Sequence, residues 1–89
     1  IAVNGDEIVV VEVKTTLKSE DIIHFISKLE HVREWLHEFH DKKVYGAVAF
    51  IHTEENIISH AQNSGLLAIR ATGKSASIIN DNDFRPKTF

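Results

Sequence analysis

Two side chains of opposite charge, Glu12 and Lys14, stand two residues apart where the apolar run Ile8-Val9-Val10-Val11 gives way to polar sequence. Alternate residues of a strand share a face, so the carboxylate and the ammonium would project together, in line with Ile8 and Val10. That pairing suits metal-assisted hydrolysis of a phosphodiester. Mg²⁺ prefers oxygen ligands and needs only one or two protein carboxylates, which makes Glu12 a candidate ligand for Mg²⁺ or Mn²⁺. Lys14 would orient or help deprotonate a water on the ion and offset negative charge in the transition state. Thr16 continues the same face, where it would contact a phosphate or serve simply as a loop residue leading onward with Lys18. The plain alternative is a surface ion pair worth less than about 1 kcal/mol. Composition alone yields a Glu-x-Lys triplet in about one chain of this length in three, so its position at the end of a buried strand carries the information.

Other constellations carry less. Six histidines invite a metal reading, and His37, His40 and Asp41 have workable ligand spacing near a helix end. His24, His31, His52 and His60 lack an acidic partner at a spacing that marks a zinc site. Gly73-Lys74-Ser75 copies the end of a phosphate-binding loop, but Ala68 stands where that loop needs its first glycine, so a hairpin turn is expected. Asp81-Asn82-Asp83 resembles the start of a calcium loop that Pro86 interrupts. Glu54 and Glu55 suit the start of a helix, and Trp35 reads as core or interface. Gln62 could point from its helix toward the sheet as an accessory group.

These residues need a scaffold. At 89 residues the chain builds one small core, and 43% hydrophobic with 26% charged residues fits a globular fold rather than a disordered one. No cysteine is present, which removes disulfides and thiolate chemistry. Asn4-Gly5 between β-branched runs predicts a hairpin with those two residues as its turn. Its second strand, apolar on both faces through Val13, is expected to be covered on both sides. Ser19 as N-cap, with Ile22, Phe25, Ile26, Leu29, Val32, Leu36 and Phe39 at helical steps, predicts one helix from Ser19 to about His40. Strands are expected over 44–51, 66–70 and 77–79. A second helix, capped by Thr53 and stopped by Gly65, is expected between the first two of these. The reading is α/β: a mixed central sheet flanked by two helices, in the order ββαβαββ, over residues 1–80, with a polar tail over 81–89.

With the elements in place, the run from Val3-Asn4-Gly5-Asp6 through Val9-Val10-Val11-Glu12-Val13-Lys14-Thr15-Thr16-Leu17 resembles the restriction-endonuclease-like, or PD-(D/E)XK, nuclease superfamily. Asp41-Lys42-Lys43-Val44-Tyr45-Gly46-Ala47-Val48-Ala49 and Asn80-Asp81-Asn82-Asp83-Phe84 extend the likeness to a prokaryotic branch in which such a domain follows a helical, coiled-coil-like segment. The resemblance implies a restriction-endonuclease-like core lacking its N-terminal part, and a catalytic Asp on the strand before Glu12-Val13-Lys14. Pairing across an Asn4-Gly5 turn would set Ile1 opposite Ile8 and place that Asp within about three residues before Ile1. A start at Ile1 and the lack of Met point the same way, to a segment preceding Ile1 in a parent chain.

The resulting expectation is a Mg²⁺-dependent nuclease-like domain acting on DNA, with Glu12 and Lys14 catalytic, inactive where the Asp is missing. The alternative is a non-catalytic module that forms a homodimer, or docks the helical region upstream, through its helices and first-strand edge. A net charge of −3 speaks against attraction of nucleic acid to the whole surface but leaves room for a local basic groove. No apolar stretch approaches the roughly 20 residues of a membrane span, and the expected location is cytoplasmic.

Overall fold

The computed structural model describes residues 1–35, 37 and 41–89. It is an α/β fold with a mixed five-stranded sheet in the order β1-β2-β3-β4-β5. Along the chain come β1 (Ala2–Asn4), β2 (Glu7–Thr16), α1 (Ser19–Glu30), α2 (Val32–Trp35), β3 (Lys43–His52), α3 (Glu55–Asn63), β4 (Leu67–Ala71) and β5 (Ala76–Ile78). The order is therefore ββααβαββ rather than the expected ββαβαββ. The additional helix arises at His31, whose backbone at φ −114°, ψ 4° leaves the helical region and closes α1. Val32, on the far side of that break, still reaches the core. One tightened turn leaves apolar periodicity intact, so the sequence carried no sign of it. The expected continuation through Leu36 and Phe39 to His40 lies outside the described residues.

The opening hairpin forms in a register shifted from the expected one. Ala2 pairs with Val9, Val3 with Ile8 and Asn4 with Glu7, so the turn is Gly5-Asp6 and Asn4 stays in the strand. Gly5 takes φ +62°, and among the described residues no non-glycine residue has positive φ. A left-handed first turn residue followed by an ordinary second one is the II′ pattern, which needs glycine only at the first position. Lys42 Nζ donates to the Gly5 carbonyl at 2.6 Å, and the Lys43 amide donates to the Asp6 carbonyl at 2.8 Å, fixing the turn against β3.

β2, β3 and β4 run parallel, while β1 and β5 are antiparallel edges. The core is the layer between this sheet and α1 and α3, where Ile8, Val44, Val48 and Phe50 meet Ile22, Phe25, Leu29 and Ala61. Gly46 makes the close approach possible. A Cβ there would lie 2.8 Å from a Leu66 methyl and 3.3 Å from the Phe25 ring, with Leu29 nearer still.

Both helices occupy one face of the sheet, which corrects the expectation of a β2 covered on both sides. Val13 is 73% exposed, Ile51 48% and Ile78 63%. Successive steps from β2 to β3 and β3 to β4 proceed in the same direction across the sheet. Right-handed crossovers in one direction put every connecting helix on the same side; covering the other side requires a reversal of strand order. Strand order is not written in hydrophobic periodicity.

Local chemistry at the remaining joints is specific. α3 ends in a Schellman arrangement, with Leu66 N–H to the Ala61 carbonyl and Gly65 N–H to the Gln62 carbonyl, both 3.0 Å, and with Gly65 at φ +83°. Thr53 does not cap α3; its hydroxyl donates to the Leu17 carbonyl at 2.8 Å, and Glu54 holds the N-cap position. The segment Thr72-Gly73-Lys74-Ser75 is the hairpin turn expected, closed by Thr72 N–H to the Ser75 carbonyl at 2.7 Å. The tail over 81–89 contains no helix or strand yet is docked: Lys87 N–H donates to the Gly65 carbonyl at 3.0 Å and Phe89 N–H to the Val44 carbonyl at 2.7 Å. The Phe89 ring packs against the core. Among the described residues no helix is long and apolar enough to cross a membrane.

Candidate functional site

Glu12 and Lys14 lie on β2, on the helix-covered side of the sheet with Ile8 and Val10. Strand alternation puts them there, and the register of β2 on β3, with Glu12 opposite Val48 and Lys14 opposite Phe50, anchors that part of the strand on one side, past the point where β1 pairing ends. Beyond Val9 no β1 residue pairs with β2, and both polar groups stay reachable: Glu12 is 24% exposed and Lys14 41%.

Each group meets a counter-charge from α1. Glu12 Oε2 is 3.7 Å from Lys28 Nζ, and Lys14 Nζ is 3.8 Å from Asp21 Oδ1. The other Asp21 oxygen accepts the Lys18 N–H at 2.9 Å, closing the first turn of α1. Four charges of alternating sign thus bridge strand and helix. At this exposure each pair is worth under about 1 kcal/mol; its consequence is the placement of the carboxylate and ammonium. Asp21 and Lys28 were not singled out from sequence. Only the packing of α1 on β2 brings them to the motif.

Cavities lined by described residues adjoin this strand. One, of about 190 Å³, is lined by Glu12, Val10, Phe25, Lys28 and Trp35 among others. Apart from the Glu12 and Lys28 charges its lining is apolar. Trp35, 61% exposed, contributes one wall. Another, of about 350 Å³, lies past the end of β2 and is lined by Thr16, Lys18, Ser19, Thr53 and Glu54 with Leu17 and Ile57. There the starts of α1 and α3 come together, and Ser19 Oγ is 3.1 Å from His60 Nδ1. Lys14 sits on the strand between Glu12 and Thr16, the residues that line the two cavities.

Gln62 is not brought to this group. Its amide is engaged by the tail, with Nε2 donating to Asp81 Oδ2 at 2.6 Å and Oε1 accepting the Asp81 N–H at 2.9 Å. It lines a separate cavity of about 280 Å³ with Glu55, Arg70 and Asp81. Asp81 therefore serves as a clamp for the tail. Of the histidine cluster, His40 lies outside the described residues, and His31 pairs with Glu34 at 3.5 Å. Among the described residues no three His, Asp or Glu side chains come together as a metal-holding group.

Comparison of the chain with protein-family models, with curated protein sequences and with solved structures finds no match.

Proposed function

We propose that this chain is a nuclease-like domain of the PD-(D/E)XK type that hydrolyses DNA phosphodiester bonds with the help of Mg²⁺ or Mn²⁺. The observation that carries the reading is the shared face of Glu12 and Lys14 on the parallel strand β2, with Glu12 lining a cavity between that strand and α1. The donor set fits a hard divalent ion through a single carboxylate, since such ions keep most of their positions for water and phosphate oxygens. Glu12 would hold the ion, which when bound supplies Lewis-acid activation of water.

The chain's own groups then have defined parts. Lys28 beside Glu12 limits where its carboxylate can swing. Asp21 beside Lys14 is a positioning residue that keeps the ammonium on the side of β2 where a phosphate would lie, and the Lys14 charge favours the more negative transition state. Thr16, on the same side, offers a hydroxyl to a neighbouring phosphate. The hairpin register adds a concrete place for a second carboxylate. Continuing the pairing of Ala2 with Val9 and Val3 with Ile8 sets a strand residue two places before Ile1 opposite Glu12.

Calorimetric titration with Mn²⁺ tests this on the chain itself and on a form extended by three residues carrying Asp two places before Ile1. The extended form is expected to bind at least about tenfold more tightly, and Glu12→Gln to abolish the gain. Equal, weak binding by all three forms would refute the assignment. A supercoiled-plasmid nicking assay on the extended form reads Lys14 separately, with Lys14→Ala expected to lower the rate by about 10²-fold or more.

A further inference from the structure

Past Val9 the outer edge of β2 has no strand beside it among the described residues. β1 pairs only with Glu7, Ile8 and Val9, while β2 continues to Thr16. The phase of the backbone along that edge follows from its first bond to β3. The Lys43 N–H donates to the Asp6 carbonyl, so at Asp6 and the even-numbered residues after it the N–H and C=O point to β3, and at Val11 and Val13 they point outward. A bare edge of this kind is a template for another strand. Its side chains carry a second pattern. On the helix side stand Glu12, with Lys28 at 3.7 Å, and Lys14, with Asp21 at 3.8 Å. Between them, on the opposite side, Val13 is 73% exposed. Reversing this edge about Val13 sets every one of these charges against one of opposite sign.

We propose that the edge pairs with a second copy of itself: β2 lies antiparallel to β2 of the other copy, about a twofold axis normal to the sheet through Val13, so that two five-stranded sheets join into one. Rotation about the sheet normal reverses strand direction without turning the sheet over, so both helical layers stay on one side. Val13 faces its own symmetry mate, and Val11 lies opposite Thr15. Glu12 lies opposite Lys14 of the other copy in a non-hydrogen-bonded pair, the kind whose Cα atoms are about 4.5 Å apart and whose side chains stand closest. Asp21, Lys14, and then Glu12 and Lys28 of the other copy form a row of alternating sign, which the axis repeats. Charge also selects the register. Centring the pair one residue either way, on Glu12 or on Lys14, would place two carboxylates or two ammonium groups face to face. β1 sets the limit of the ladder, since Ala2 pairs with Val9 and Ile1 follows beside Val10; residues 11–15 are left to pair. So short a ladder buries little surface, and its affinity rests on main-chain bonds and charge, which gives weak association with a dissociation constant on the order of 100 µM. The proposal does not depend on the nuclease reading.

Translational diffusion measured by NMR from about 20 µM to about 1 mM is expected to pass from monomer to dimer. Over the same range the Val11 and Val13 amides are expected to gain protection from hydrogen exchange. Glu12→Lys and Lys14→Glu each oppose like charges at both symmetry-related pairs and are expected to stay monomeric alone. An equimolar mixture of the two variants restores opposite charges across the axis and is expected to dimerise as the unaltered chain does. Val13→Pro removes an outward N–H that makes no ladder bond within one copy, and is expected to weaken association about tenfold or more with an unchanged circular dichroism spectrum. The three residues of the extended form described above lie along the same edge, so that form is expected to be monomeric. Diffusion independent of concentration, a mixture that stays monomeric, or dimerisation untouched by Val13→Pro or by the extension would each overturn the proposal.

Discussion

The two faces of the sheet are built from residues of similar polarity and differ almost entirely in what lies on them. On the helix side, Ile8, Val44, Val48 and Phe50 are each 1% exposed or less. On the other, Val13 and Ile51 stand in water although they belong to the same central strands. At about 25 cal/mol per Å², the covered face draws the larger share of stability from burial within one copy, although Ala47 on the other face is buried as well. The open face contributes when something else covers it. The contrast separates residues that hold the fold from residues available for association, and it places the Glu12 and Lys14 pair on the covered side, where α1 can organise it.

The largest expected effect on this contrast comes from hollowing the covered face. Phe50→Ala removes a fully buried ring that also lies 5.6 Å below the Arg70 guanidinium. It is expected to cost about 3–5 kcal/mol in chemical denaturation, enough to unfold much of a domain this small. Next comes Gly46→Ala, which drives a methyl into Leu29 and Leu66. Overpacking there is expected to cost about 1–3 kcal/mol by the same measurement, with little change in the slope of unfolding against denaturant. Smallest is Ile51→Thr on the open face, expected to change monomer stability by less than about 0.5 kcal/mol, measured below the association range. A loss from Ile51→Thr matching that of Gly46→Ala would mean that both faces are equally buried in the working state of the molecule, and the contrast would fail.

Much of the scaffold was legible in the chain. Alternation over Ile8 to Lys14 gave β2 and the common face of Glu12 and Lys14. Helical spacing of Ile22, Phe25 and Leu29 gave the buried stripe of α1, and Gly65 marked the end of α3. These signals are local: each depends on the period of one element or the φ of one residue. The misses were of another kind. The turn at Gly5-Asp6, in place of Asn4-Gly5, depends on Lys42 and Lys43 reaching back from β3. The engagement of Gln62 by Asp81 depends on a tail that has no periodic signal of its own. Asp21 and Lys28 as partners of Lys14 and Glu12 depend on where α1 settles.

The sequence by itself determined which residues alternate, which recur every three or four positions, and which backbone sites need glycine, because those properties are set by covalent geometry and by neighbours a few residues away. Only the tertiary structure decided which apolar face of the sheet the helices cover. A strand that is greasy on both sides is symmetric with respect to that choice. The symmetry is broken by strand order together with the right-handedness of two crossovers taken in the same direction, and neither is encoded in any single segment.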